Sequence, residues 1–243
     1  MDLGLRGARA LVTGATKGLG KAVASGLLSE GAAVVACGRE VSTVPARALG
    51  LRIDVTSAGA AETMVEFARS ELGGLDILVA AAGQSTAGTV EDNDDERWAL
   101  GLDLNLLSIV RLCRAAIPML RQSQQARIVL FGAVSGLEPR GAHGISNIAK
   151  SGIHVLTKTL SRELAGDGIL VNCIAPGRIR SAQLDRAFPD EEARRAHAQD
   201  LIPLGRFGEA DEVVPLTLLL ASAANTYVTG QTVAVDGGMT HAH

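Results

Sequence analysis

The 243 residues carry 47% hydrophobic but only 2% aromatic side chains, so the core must be built from aliphatic packing, and the length suits one α/β domain rather than two small ones. A formal net charge of −3 argues against a nucleic-acid-binding surface, and the widely spaced Cys37, Cys113 and Cys173 form neither a disulfide framework nor a CxxC metal motif. Charges at Asp2, Arg6 and Arg9 stand where a signal peptide would be apolar, so a reducing, cytoplasmic setting without membrane association is expected.

Short apolar runs alternate with helical patterns along the whole chain. Ala8–Val12, Ala32–Ala36, Leu51–Asp54, Ile77–Ala81, Arg127–Phe131, Leu170–Ile174 and Gln231–Val235 read as seven strands. Several lack polar alternation, as strands of a parallel sheet covered on both faces do. Between the first two, Leu19, Val23 and Leu27 recur at helical spacing and Gly31 supplies a stop. Arg39 to Gly50 holds Pro45 and is too short for a full helix, so one crossover is trimmed. Asp95 to Leu120 reads as helix, rich in Leu and Ile beyond the needs of one buried face. The long connection, residues 177–203, has the character of a substrate lid, with Leu184, Phe188 and Leu201 among Arg178, Arg180 and Arg186. The uncharged run Val213 to Val235 contains Pro215 and Gly230 and reads as a buried helix, a turn and a strand rather than a membrane span. This βα alternation predicts a doubly wound (Rossmann) α/β fold, a seven-stranded parallel sheet with helices on both faces in a single domain.

After the first strand stands Thr13-Gly14-Ala15-Thr16-Lys17-Gly18-Leu19-Gly20. Glycines let a backbone turn tightly against a pyrophosphate at a helix N-terminus, so Gly14, Thr16, Lys17, Gly18, Leu19 and Gly20 are candidates to hold a dinucleotide. An NAD site would carry an acid near the end of the second strand for the ribose 2′-hydroxyl. Here the sequence is Ala36-Cys37-Gly38-Arg39, and the fork of Arg39, with Lys17, suits a 2′-phosphate, so NADP(H) is favoured over NAD(H).

The spacing TGxxxGxG resembles that of the short-chain dehydrogenase/reductase family, in its 3-oxoacyl-carrier-protein-reductase-like form. The resemblance continues through Asp54-Val55, Pro176-Gly177 followed by Ser181, Leu204-Gly205-Arg206 and Asp236-Gly237-Gly238. It implies that Asp54 and Val55 border the adenine, that Ala82 and Gly83 follow the fourth strand at the cofactor, and that Lys150, Pro176, Gly177, Ile179 and Ser181 meet its nicotinamide half. Family chemistry uses a tyrosine as acid/base, a lysine four residues later, a serine and an asparagine. Aligned by motif, Lys150 and Asn105 are kept, but the tyrosine position is Ser146 and the serine position is Ala133.

A serine hydroxyl is a far weaker acid than a phenol, so Ser146 is expected to orient a water or the carbonyl, alongside Asn105 and Lys150. Ser135 and His143 lie close in sequence and read as a loop serine and an exposed histidine, although a histidine there could exchange a proton. The expected activity is that of an NADP(H)-dependent oxidoreductase on a carbonyl or alcohol substrate with a rearranged proton donor. The alternatives are a cofactor-binding isomerase or lyase, or a non-catalytic regulatory protein of the same fold. The partners expected are a small-molecule substrate and further copies of the chain in a homotetramer.

Overall fold

The seven apolar runs become seven strands: β1 (Arg9–Thr13), β2 (Ala33–Gly38), β3 (Leu49–Arg52), β4 (Ile77–Ala80), β5 (Arg127–Phe131), β6 (Leu170–Pro176) and β7 (Thr232–Val235). All neighbours pair parallel, in the order β3-β2-β1-β4-β5-β6-β7. The computed structural model describes residues 2–181, 184–185, 188 and 190–241. Its helices are α1 (Gly18–Ser29), α2 (Ala60–Leu72), α3 (Asp95–Leu102), α4 (Ser108–Leu120), α5 (Gly144–Glu163), α6 (Glu191–Leu201) and α7 (Ala210–Ala221).

Strand side chains alternate between two cores. Leu11, Leu78, Ile128 and Leu130 pack with α2, α4 and α5, through residues such as Met64, Leu112 and Ile153. Ala10, Val12, Val79, Val129 and Phe131 pack on the other face with α1 and α7, through Val23, Leu27, Val213 and Leu218. Every residue of β4 and β5 is buried, which is why neither run shows polar alternation.

Three details differ from the sequence expectation. β3 ends at Arg52, not Asp54, and the chain turns at Asp54, whose O accepts from Ser57 N and whose carboxylate accepts from Thr56 N at 3.0 Å and Thr56 Oγ1 at 2.7 Å. The predicted helix over residues 95–120 holds a π-helical turn, Asp103–Leu107, between α3 and α4. The connection between β6 and α7 contains α6, capped by Asp190 Oδ1 and Oδ2, which accept from Glu192 N and Ala193 N. Arg186 lies outside the described residues.

At the amino edge of the sheet, Asp76 ties three strands together. Its carboxylate accepts from Arg9 N and Nε, both at 2.9 Å, from Arg9 Nη2 at 2.7 Å and from Ser123 Oγ at 2.6 Å. Its backbone continues the tie, since Asp76 N donates to Arg9 O and Arg127 N donates to Asp76 O. Burial alone would raise the Asp76 pKa, but the bonds from Arg9 and Ser123 outweigh it and hold the carboxyl below its usual range. Such a group contributes stability above its unfolded pKa and loses it as pH falls through the lower folded value. Asp76→Ala, which strands the Arg9 guanidinium, is expected to cost about 2–3 kcal/mol at pH 7. In urea titrations, the gap between the variant and the unaltered protein should narrow steadily below pH 4.

Candidate active site

The sheet order reverses between β1 and β4, so the loops leaving their carboxyl ends diverge and open a crevice there. One wall is the turn between β1 and α1. Gly14 (φ +66°) and Gly18 (φ +54°) adopt the left-handed backbone that this turn requires. A Cβ on Gly20 would lie 2.4 Å from Gly14 O, so α1 presses directly on the turn. Its N-terminus has no side-chain cap and no acidic residue in the first turn, which leaves N–H donors and positive dipole for an anion. These residues therefore fit a dinucleotide diphosphate.

The end of β2 explains the missing acid. A Cβ at Gly38 would fall 2.4 Å from Thr16 Cγ2, so the turn itself occupies the space a carboxylate side chain would need. Glu40, the first acid beyond, turns onto its own loop, where Oε1 accepts from Ser42 N at 3.0 Å. Arg39 and Lys17 are both exposed at this end. Asp54 is held below its usual range by its bonds from Thr56, with the charge of Arg39 contributing less.

The other half is a cleft of about 420 Å³ bordered by Leu19, Gly83, Ser146, Lys150, Pro176, Gly177, Ile179 and Ser181, so most of the residues assigned to the nicotinamide half meet in one place. Lys150 Nζ donates to Phe131 O at 2.9 Å, fastening α5 to the end of β5. Burial lowers its pKa to about 8. Asn105 sits on the π-helical turn, where its Nδ2 donates to Gly101 O at 2.9 Å and its Oδ1 accepts from Gln84 N at 2.8 Å. Both side chains approach Gly83 where its Cβ would be. A Cβ there would stand 2.9 Å from Asn105 Oδ1 and 3.4 Å from Lys150 Nζ. Ala82 N donates to Thr13 Oγ1 at 3.2 Å, which anchors this loop to β1.

The positions that depart from the family pattern are also in the cleft. Ala133 and Ser135 line it side by side, with Ser135 buried. The Ser146 hydroxyl is engaged with the loop after β4: it accepts from Thr86 N at 2.7 Å and donates to Thr86 O at 3.2 Å. His143, expected to be an ordinary exposed residue, lines the cleft, and its Nδ1 lies 2.9 Å from Gly141 O. Gly141 O can only accept, so Nδ1 is the donor in that contact, and Nε2 has no hydrogen-bond partner among the described residues. Ala142, just before it, holds a left-handed backbone (φ +54°), with Gly88 N donating to Ala142 O at 2.8 Å. The sequence offered no signal for Thr86, Gly88 or Arg140, because their roles arise from two loops meeting across the cleft.

A glycine turn opening onto a helix N-terminus at a topological switch point, beside a half-buried lysine, has the form of a dinucleotide-binding α/β protein. The family model described as enoyl-(acyl carrier protein) reductase matches residues 14–240. The chain is 35% identical over 246 residues to the 3-oxoacyl-acyl-carrier-protein reductase FabG of Escherichia coli (strain K12), covering 98% of this chain and 99% of the relative. It is 33% identical to the rhamnolipids biosynthesis 3-oxoacyl-acyl-carrier-protein reductase of Pseudomonas aeruginosa, covering 96% of each. Among solved structures, L-sorbose reductase from Gluconobacter frateurii, complexed with NADPH and L-sorbose, superposes with a TM-score of 0.93 at 30% identity over 100% of both chains. The chain belongs to the short-chain dehydrogenase/reductase family of oxidoreductases.

The Lys150 ammonium generates a testable pH dependence. A lysine whose folded pKa lies below its unfolded value binds fewer protons when folded across that window, so its burial cost is present below about pH 8 and is relieved as pH rises beyond it. Lys150→Met is therefore expected to stabilise the cofactor-free protein at pH 7 by about 1–2 kcal/mol. Paired denaturant titrations should show that gain shrinking between pH 8 and pH 10.

Proposed function

We propose that the protein is an NADP(H)-dependent oxidoreductase acting on a carbonyl or alcohol substrate, with a proton route that does not pass through a tyrosine. The observation that carries this reading is the meeting of Lys150 and Asn105 at Gly83, which borders the cleft. Gly14, Thr16, Lys17, Gly18, Leu19 and Gly20 hold the diphosphate side, Arg39 the 2′-phosphate, Asp54 and Val55 the adenine side. Ala82, Gly83, Lys150, Pro176, Gly177, Ile179 and Ser181 hold the nicotinamide half. The nicotinamide supplies or accepts the hydride at the substrate carbon.

The chain's own residues handle the proton. Ser146 cannot ionise near neutral pH, and its hydroxyl is already committed to Thr86, so it acts by position: its remaining lone pair, with Asn105 and Lys150, holds a water. Lys150, with its pKa lowered to about 8 by burial, is suited to exchanging a proton with that water. A second route through His143 is favoured by its place on the cleft and by its uncommitted Nε2. The segment 177–203 covers the substrate, through Leu184 and Phe188.

The assembly is a homotetramer. Leu100, Leu107, Ile148 and Val155, on α3, the π-helical turn and α5, are 45–67% exposed, and Tyr227 and Val228 near β7 are 96% and 43% exposed. The apolar residues of α7, by contrast, are largely used within the chain against α1. The three cysteines are free and buried, which favours a reducing, cytoplasmic setting.

NADPH titrations are expected to show tighter binding than NADH, with Arg39→Asp abolishing or reversing the preference. Equal dissociation constants in the unaltered protein would sink the cofactor assignment. Absorbance at the nicotinamide band with a panel of ketones and aldehydes should then show oxidation of NADPH. Binding without turnover across the panel would move the protein to the isomerase, lyase or regulatory alternatives. Light scattering at micromolar concentration should give the mass of four chains, and a monomer mass would contradict the assembly.

A further inference from the structure

Two arginines face the cleft without an ionic partner. Arg140 lies on the turn before α5 and Arg178 follows Pro176-Gly177; both border the cleft with Lys150 and His143. The Nε of each is shut off from solvent and has no hydrogen-bond partner among the described residues. Among those residues neither guanidinium forms an ion pair. The carboxylates around them are engaged elsewhere. Asp236 accepts from Gly238 N, Thr240 N and Thr240 Oγ1; Glu212 pairs with Arg206; Glu138 accepts from His241 N.

Both arginines are set in place by backbone bonds. Asn147 Nδ2, on α5, donates to Arg140 O at 2.7 Å. Gly208 N donates to Arg178 O at 3.0 Å, and Arg180 N returns a bond to Gly208 O at 2.8 Å. Burial lowers the pKa of each guanidinium, and the charge of Arg140 lowers that of Arg178 further, so the two repel across partly desolvated space. Like charges withdrawn from water are costly, and an oxyanion between them offsets both the repulsion and the lost hydration while accepting from two planar forks.

Resting on the oxidoreductase reading above, we infer that Arg140 and Arg178 bind an oxyanion carried by the substrate, so that the substrate is a carbonyl compound bearing a carboxylate or phosphate group. Leu184, Phe188 and Met239 border the same cleft and suit the carbon chain between that group and the carbonyl.

Calorimetric titration of the NADP⁺-saturated protein with malonate, inorganic phosphate and neutral malonamide tests the inference without turnover. Malonate or phosphate should bind and malonamide should not; the stronger of the two anions identifies the group. Arg140→Met and Arg178→Met should each weaken the anion at least about tenfold, with NADPH affinity unchanged and Arg140→Lys partly restoring binding. In turnover, the same changes should raise KM for an oxo acid and leave its methyl ester unaffected. Unchanged anion affinity in both Met variants, or equal binding of malonamide, overturns the inference. So does a loss of NADPH affinity in Arg178→Met, which would assign that arginine to the cofactor. Failure of the unaltered protein to bind or oxidise NADPH would sink the oxidoreductase reading, whereas malonate titrated into the same protein without cofactor would still report on the arginine pair.

Discussion

An ammonium group drawn out of water must find an acceptor, and in this protein that requirement organises the cleft. Lys150 reaches from α5 to Phe131 O at the end of β5, which fixes the helix against the one sheet edge where every strand releases a loop. Gly83, without a side chain, lets Lys150 and Asn105 both come close to its Cα. The π-helical turn gives Asn105 its place, spending regular helix geometry between α3 and α4 to direct an amide at Gly101 O and Gln84 N. Remove the lysine's acceptor or fill the glycine, and the packing of three loops has to be rebuilt.

Ser146 stands where the family resemblance leads one to expect a tyrosine. Its short hydroxyl closes on Thr86 and joins the loop after β4 to the start of α5. The backbone contacts of Gly88 with Ala142 and Gly144 strengthen the same seam. The position thus trades a titratable group for a structural clasp. Positive charge in the cleft comes from Lys150, Arg140 and Arg178, and the two guanidiniums repel each other.

Aliphatic runs without polar alternation, such as those that become β4 and β5, read as strands covered on both faces, and their alternation with helical patterns made the parallel sheet and its helical layers legible before any coordinate. The turn of Gly14, Gly18 and Gly20 was equally plain, because close backbone packing leaves glycine little competition. Boundaries were less so. β3 was displaced by two residues, and the chain turns at Asp54 through hydrogen bonds from Thr56 and Ser57 that apolar periodicity does not record.

What the sequence determined by itself was local: strand and helix periods, the phosphate turn, the lost acid at Gly38, and the spacing that sets Lys150 four residues after Ser146. What only the tertiary structure decided was which loops face one another. His143 looked like an exposed group in the chain and Arg178 like part of a lid, while Arg140 gave no signal. They border one cleft because β4, β5 and β6 end at the same edge of a parallel sheet and their loops have nowhere else to converge. A side chain's burial and its missing partner are properties of that convergence, set by residues far away in sequence, and no pattern along the chain encodes them.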